Sequence, residues 1–340
     1  MKKFDLWLIL LSLAVPAGAA PLVAGTAEEV VTRLQRSIDR ASEKGQFRQV
    51  QTLRLELAQH YTASGAFALS ARQYELLLAS RPSKRDRVEH SIALGKMRDA
   101  DRNYSGAIAA YQDALHDDPK SWDGNLYLAK AYDHAELNSK SIEVYKRCIA
   151  LKPSQAEPYR GIANVYRQLG FLSKAIQNYQ KSLALEKKPE IYLELSDTYA
   201  RQGDIQRARE ILQEAKAGLP RAEYDVRLGH LYARHGAMKK ACRAWEEALD
   251  QDTRRDDVRL QLALAYDQLS RPADSDRVFR RLLADYPRSP LVHFSRAWVL
   301  YARGDREGAR QEVIQVEQLG PTAVVKHYNE KLLALLKSLS

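Results

Sequence analysis

Cysteine is nearly absent from this chain of 340 residues, with Cys148 and Cys242 the two present. No disulfide framework is therefore expected. Metal and nucleophile signatures are missing as well. The sequence holds no H-E-x-x-H, no C-x-x-C, no G-x-S-x-G and no glycine-rich phosphate loop. Its eight histidines are scattered, and the closest pair, His230 and His235, would not share a helix face. No enzymatic activity, cofactor or metal is expected. Lys and Arg outnumber Asp and Glu by 53 to 43, giving a formal net charge of +10, yet the charges are interspersed and form no basic block. That pattern reads as a solvated surface of mixed charge, compatible with acidic protein partners, anionic glycan or a lipid surface. The apolar stretch Leu6–Val15 falls well short of the ~20 residues that a spanning helix needs. No linker or low-complexity segment interrupts the rest.

What is present is periodicity. A small residue recurs about every 34 residues, at Ala58, Gly95, Ala129, Ala163, Ser196, Gly229, Ala263 and Ala297. Three residues on stands Tyr61, Tyr132, Tyr166, Tyr199, Tyr232 or Tyr266, with Arg98 in the second copy. A second small residue follows at Ser70, Ala107, Ser141, Ala175, Ala208, Ala241, Ser275 and Ala309. Four residues after it comes Tyr74, Tyr111, Tyr145, Tyr179, Leu212, Trp245, Phe279 or Val313. Proline closes most copies, at Pro82, Pro119, Pro153, Pro220, Pro287 and Pro321, while Lys187 and Thr253 replace it in two.

These phases read as two helices around a short turn, which glycine marks at Gly65, Gly170, Gly203, Gly236 and Gly304. Small residues let the helices approach, aromatics fill the space between them, and proline ends each unit. The pattern resembles the tetratricopeptide repeat in length and in the order of its Leu-Gly, Tyr, Ala, Phe and Pro positions. Arg296 departs from it in the leucine slot of the last copy. The resemblance covers roughly four fifths of the chain. It implies an all-α fold, a right-handed α-solenoid superhelix of about eight helical hairpins with capping helices at both ends.

The copies begin near residues 51, 88, 122, 156, 189, 222, 256 and 290 and fill 51–321. Upstream, residues 20–50 hold a capping helix with Val30, Val31, Leu34 and Ile38 at helical spacing and Gly45 at its end. Downstream, 322–340 place Val324, Tyr328, Leu332, Leu335 and Leu336 on one face of another. Residues 1–19 have the form of a secretory signal peptide: Lys2 and Lys3, an apolar core, then Ala17-Gly18-Ala19. Cleavage after Ala19 would leave a chain of charge +9 with no transmembrane anchor. No cysteine follows to carry a lipoprotein anchor. A periplasmic protein is expected, with two unpaired thiols, because Cys148 and Cys242 lie three repeats apart.

Ten of the eighteen tyrosines occupy the packing phases, so packing accounts for them without a stacking platform. Acidic residues near the start of six first helices, Glu89, Asp123, Glu157, Glu190, Glu223 and Asp257, suit the positive end of the helix dipole. Ser154 with Glu157 has capping-box spacing.

The resemblance implies that the first helix of each hairpin lines a concave groove. Its ninth position reads Gln59, Lys96, Lys130, Asn164, Asp197, His230, Leu264 and Trp298. Candidate partner-binding residues are Lys130, Arg160, Asn164, Arg167, Arg201, His230 and Arg234 in a polar stretch, and Leu264, Leu291, Phe294, Trp298 and Tyr301 in an apolar one. Phe294 with Trp298 is the expected anchor, the alternative being that the capping helix packs over the same aromatic cluster, and Arg160, Asn164 and Arg167 are the expected polar selector. Some family members clamp a peptide's terminal carboxylate; here only Asn164, with Arg160 for the lysine, matches, and Glu194 would repel that group. Together these readings give a non-enzymatic protein–protein interaction scaffold in a bacterial cell envelope, binding a protein or peptide segment in its groove. Direct binding of anionic envelope glycan or exported polysaccharide is the alternative, and nucleic acid is not an expected partner.

Overall fold

A computed structural model describes residues 24–338. The leader expected over 1–19 lies outside them. Among the described residues there are eighteen α-helices, one short 3-10 turn and no strand, so the all-helical expectation holds. The helices group into two compact units that divide between Gln202 and Gly203.

The N-terminal unit holds α1 (Ala24–Glu43), α2 (Phe47–Ala63), α3 (Phe67–Ala79), α4 (Lys84–Ala100), α5 (Tyr104–Asp117), α6 (Trp122–His134), α7 (Asn138–Leu151), α8 (Ala156–Gln168), α9 (Leu172–Leu185) and α10 (Pro189–Gln202). Pairs α2/α3, α4/α5, α6/α7 and α8/α9 are hairpins that each pack on the next. The C-terminal unit holds α11 (Ile205–Ala215), α12 (Glu223–Arg234), α13 (Met238–Gln251), α14 (Asp256–Gln268), α15 (Pro272–Asp285), α16 (Pro290–Arg303), α17 (Arg306–Gln318) and α18 (Ala323–Ser338). Its hairpins are α12/α13, α14/α15 and α16/α17. Each unit is thus a run of α-solenoid. First helices also touch across hairpins, α4 with α6, α6 with α8, and α14 with α16. They therefore form a continuous row inside each unit.

The small positions explain how the helices come this close. All sixteen are buried. A Cβ added to Gly95 would sit 2.4 Å from the Tyr111 ring, and one added to Gly229 would sit 2.3 Å from Trp245 Nε1. Gly161 meets Tyr145 of the preceding hairpin in the same way, at 2.2 Å. Tyr111, Tyr145, Tyr179, Trp245 and Phe279 are almost wholly enclosed. At two of the three copies with serine as the second small residue, its hydroxyl is satisfied across the hairpin: Ser70 Oγ donates to the Ala58 carbonyl and Ser141 Oγ to that of Ala129, each at 2.9 Å.

Hydrogen bonds then tie one hairpin to the next. Gln112 Nε2 on α5 donates to the Tyr132 hydroxyl on α6, and Gln180 on α9 to that of Tyr199 on α10, both at 3.1 Å. Glu246 on α13 accepts from Tyr266 on α14 at 2.6 Å. In all three cases the partner is the residue after the buried aromatic of the second helix. Three tyrosines of this phase carry cations on their faces: Lys140 stands 5.7 Å from the Tyr132 centroid, Lys240 5.6 Å from that of Tyr232, and Arg271 4.4 Å from that of Tyr266.

The end helices pack by their apolar faces. Leu34 and Ile38 of α1 bury against Leu57 of α2, and Gly45 turns the chain at φ +64°. Val325, Leu332 and Leu336 of α18 enter the core of the C-terminal unit, where Asn329 Nδ2 donates to the Val313 carbonyl at 3.3 Å. Cys148 and Cys242 are buried free thiols, and burial pushes Cys148 up to about 12 and Cys242 up to about 11.

Each hairpin turn has a left-handed residue at one fixed place. Five are the glycines read from the sequence, and three are Arg102 (φ +61°), Glu136 (φ +58°) and Ser270 (φ +57°). The geometry is set by backbone bonds closing the first helix, such as Leu137 N–H to the Tyr132 carbonyl at 2.8 Å and Phe171 N–H to that of Tyr166 at 2.9 Å. A side chain there strains the backbone by about 1 kcal/mol. A Cβ on Gly170 would meet no atom within 4 Å, so its substitution isolates that strain. Urea unfolding should show Glu136→Gly stabilised by about 1 kcal/mol and Gly170→Ala destabilised by about as much. A neutral result for both would mean that the turns relax.

Candidate interaction groove

In the N-terminal unit the expected polar selector turns inward on the protein itself. Arg160 on α8 makes two parallel bonds of 2.7 Å to the Glu194 carboxylate on α10, and this partner raises its guanidinium pKa. Arg167 donates to the Tyr179 hydroxyl at 3.1 Å and reaches Asp197 at 3.4 Å. Arg201 also donates to Asp197, at 2.8 Å. Asn164 accepts from the Tyr179 hydroxyl. Lys130 on α6 pairs with Glu157 on α8. The predicted repulsion by Glu194 is therefore cancelled by Arg160, and neither charge is left over for a ligand. Nor does Glu157 close a capping box with Ser154: the residue before α8 is Gln155, which makes no side-chain cap, and Glu157 is held by Lys130 instead.

Two residues outside the candidate set sit beside this network. Lys96 on α4 places its ammonium 4.0 Å from the centroid of Tyr127 on α6, and Lys130 Nζ lies 5.2 Å from the same centroid. Tyr127 stacks on Tyr111 at 6.0 Å with an interplanar angle of 19°. One repeat on, the position of Tyr127 is Gly161, so Lys130 has no ring ahead of it and takes Glu157. Close by, His134 Nδ1 lies 2.8 Å from Asp99, whose carboxylate pushes the imidazole pKa up. An aromatic at that phase in one copy alone was the available sequence signal.

The apolar candidates of the C-terminal unit are mostly core. Phe294 is 2% exposed and Leu264 6%, which removes Phe294 as an anchor that a partner could reach. Both belong to the core cluster of this unit, which Leu332 and Leu336 of α18 also enter, and α18 packs on α16. Leu291, Trp298 and Tyr301 are partly buried against that cluster. Trp298 and Tyr301 contact each other with centroids 5.8 Å apart, leaving an aromatic pair at the surface of α16. Arg234 on α12 is exposed.

His230 meets Trp245 edge to face at 5.8 Å. Burial pushes its imidazole down to about 4; Arg227 and Arg234 add to the shift, and Gln261 and Asp257 oppose it. Among the described residues no group of three or more His, Cys, Asp or Glu side chains could hold a metal ion. An unfolded histidine titrates near ~6.5. Between that value and about 4, protons bind the unfolded chain in preference, so stability present above the unfolded pKa is lost as pH falls through this window. Chemical denaturation should show wild type losing on the order of 3 kcal/mol more than His230→Gln across it. Parallel pH profiles for the two proteins would contradict the assignment.

The tetratricopeptide repeat profile matches residues 92–156, 160–223 and 260–324, more than half of the chain. No curated protein sequence matches it. Among solved structures, a tetratricopeptide repeat protein from Parabacteroides merdae is similar with a TM-score of 0.55 and 13% identity, over 74% of this chain and 99% of that one. PilW, titled a widely conserved type IV pilus biogenesis factor, is similar with a TM-score of 0.51 and 20% identity, over 60% of this chain and 96% of its own. At these identities the likeness is one of fold. The repeat register, the helical hairpins and the profile match agree: this chain belongs to the tetratricopeptide repeat family.

Proposed function

We propose that the protein is a non-catalytic interaction scaffold of the bacterial cell envelope, exported by a cleaved leader, that holds a segment of a partner protein along its row of first helices. The carrying observation is the partly exposed Trp298/Tyr301 pair on α16. Aromatic side chains with one face buried and one open are the common anchors of protein interfaces. Elsewhere along the first helices the charges are largely matched within the protein, which favours a segment with mixed polar and apolar side chains over a polyanionic glycan. Arg160 and Arg167, which a glycan would need, are already held by Glu194 and Asp197. No described helix is long and apolar enough to cross a membrane. Assembly of a pilus, an outer-membrane complex or a peptidoglycan machine would each use such a scaffold.

In-cell crosslinking of the tagged protein followed by mass spectrometry should recover a discrete envelope protein. Trp298→Ala with Tyr301→Ala should lose it while circular dichroism stays unchanged. The same proteins recovered from both forms would overturn the aromatic anchor, and recovery of glycan alone would overturn the protein-scaffold reading.

A further inference from the structure

On the first-helix face of the N-terminal unit the cations named above are matched to carboxylates: Lys130 to Glu157, Arg160 to Glu194, and Arg167 and Arg201 to Asp197. Lys96 is different. Among the described residues it makes no ion pair, and its ammonium lies over the face of Tyr127. Asp123, one repeat before Glu157 and so the counterpart of the carboxylate that holds Lys130, does not hold Lys96, because the lysine lies over the ring instead.

Two ammonium groups thus converge on one aromatic ring, at 4.0 and 5.2 Å from its centroid, which places them within about 9 Å of each other. Their mutual repulsion is offset in part by the ring face and, for Lys130, by Glu157. The ring itself is fixed by stacking on the buried Tyr111. Lys96, Tyr127 and Lys130 are all half-buried, so an anion arriving here meets charges that are already oriented and incompletely hydrated. The neighbouring carboxylate of Asp99 is engaged by His134 and does not compete for Lys96.

We propose that Lys96 and Lys130, over Tyr127, form a subsite for an acidic side chain, aspartate or glutamate, within the partner segment. The inference rests on the scaffold reading above and adds the chemistry that one stretch of the first-helix row selects. A carboxylate beside Lys96 supplies the counter-ion that the fold does not give it, and Lys130, although paired with Glu157, adds to the positive field there.

The test is fluorescence anisotropy with a short labelled peptide of alternating Glu and Ala, acetylated and amidated so that no terminal charge contributes. Wild type should bind it and should not bind the matching Gln/Ala peptide. Lys96→Gln should weaken binding about tenfold, the loss of one charge-assisted contact. Lys96→Arg should retain it, and Lys120→Gln, at an exposed turn position, should leave it unchanged. Thermal unfolding of Lys96→Gln reports whether the variant is folded, and Lys130→Gln gives a second, independent loss. Equal binding by wild type and Lys96→Gln, an equal loss in Lys120→Gln, or no binding by wild type would overturn the subsite. Binding of soluble alginate that depends on Lys96, with peptide binding that does not, would overturn it in favour of glycan. Crosslinking that captures no protein would sink the scaffold reading alone, and this titration would still decide the subsite.

Discussion

The close approach of helices across small residues is the constraint on which the rest depends. Where Gly95 meets Tyr111 and Gly229 meets Trp245, even one methyl group would overlap the ring. That spacing fixes how near the first helix of a hairpin lies to the second, and the buried aromatics fix how the hairpins follow one another. Because each hairpin buries its faces on its neighbours, stability is distributed along the array and not concentrated in one core. A row of first helices is the geometric result, and it is the surface on which a partner segment can lie.

Charge plays a second, local part in holding this row. Arg160 to Glu194 and Arg167 to Asp197 each bridge α8 to α10, and Lys130 to Glu157 bridges α6 to α8. Partly exposed pairs of this kind contribute little individually, about 1 kcal/mol or less. Their larger effect is electrostatic: they neutralise the stretch that composition alone marks as cationic. What stays available is sparse, chiefly Lys96 over Tyr127 in the N-terminal unit and the Trp298/Tyr301 pair in the C-terminal unit. A net charge of +10 is thus a poor guide to where an anion would bind.

The fold was legible because its determinants are residues of constrained size recurring in register. The turns were legible only where glycine marks them. Arg102, Glu136 and Ser270 adopt the same left-handed conformation, but three unlike side chains carry no common sequence signal. The site was less readable. Glu194 reads by phase as a groove carboxylate that would repel a ligand's, and only packing shows that Arg160 holds it. Phe294 reads as a groove residue by phase, yet it lies in the core cluster that α18 joins, and phase alone does not say which groove residues the end of the array covers.

Hydrogen exchange of the protein alone and with the partner recovered by crosslinking is the most direct test of the central claim. Slowed exchange concentrated in first helices, in α4, α6 and α8 near Lys96 or in α14 and α16 near Trp298, is the predicted result. Protection confined to the second helices α5, α7, α13 and α15, or to the turns, would contradict it and place function on the opposite face of the array.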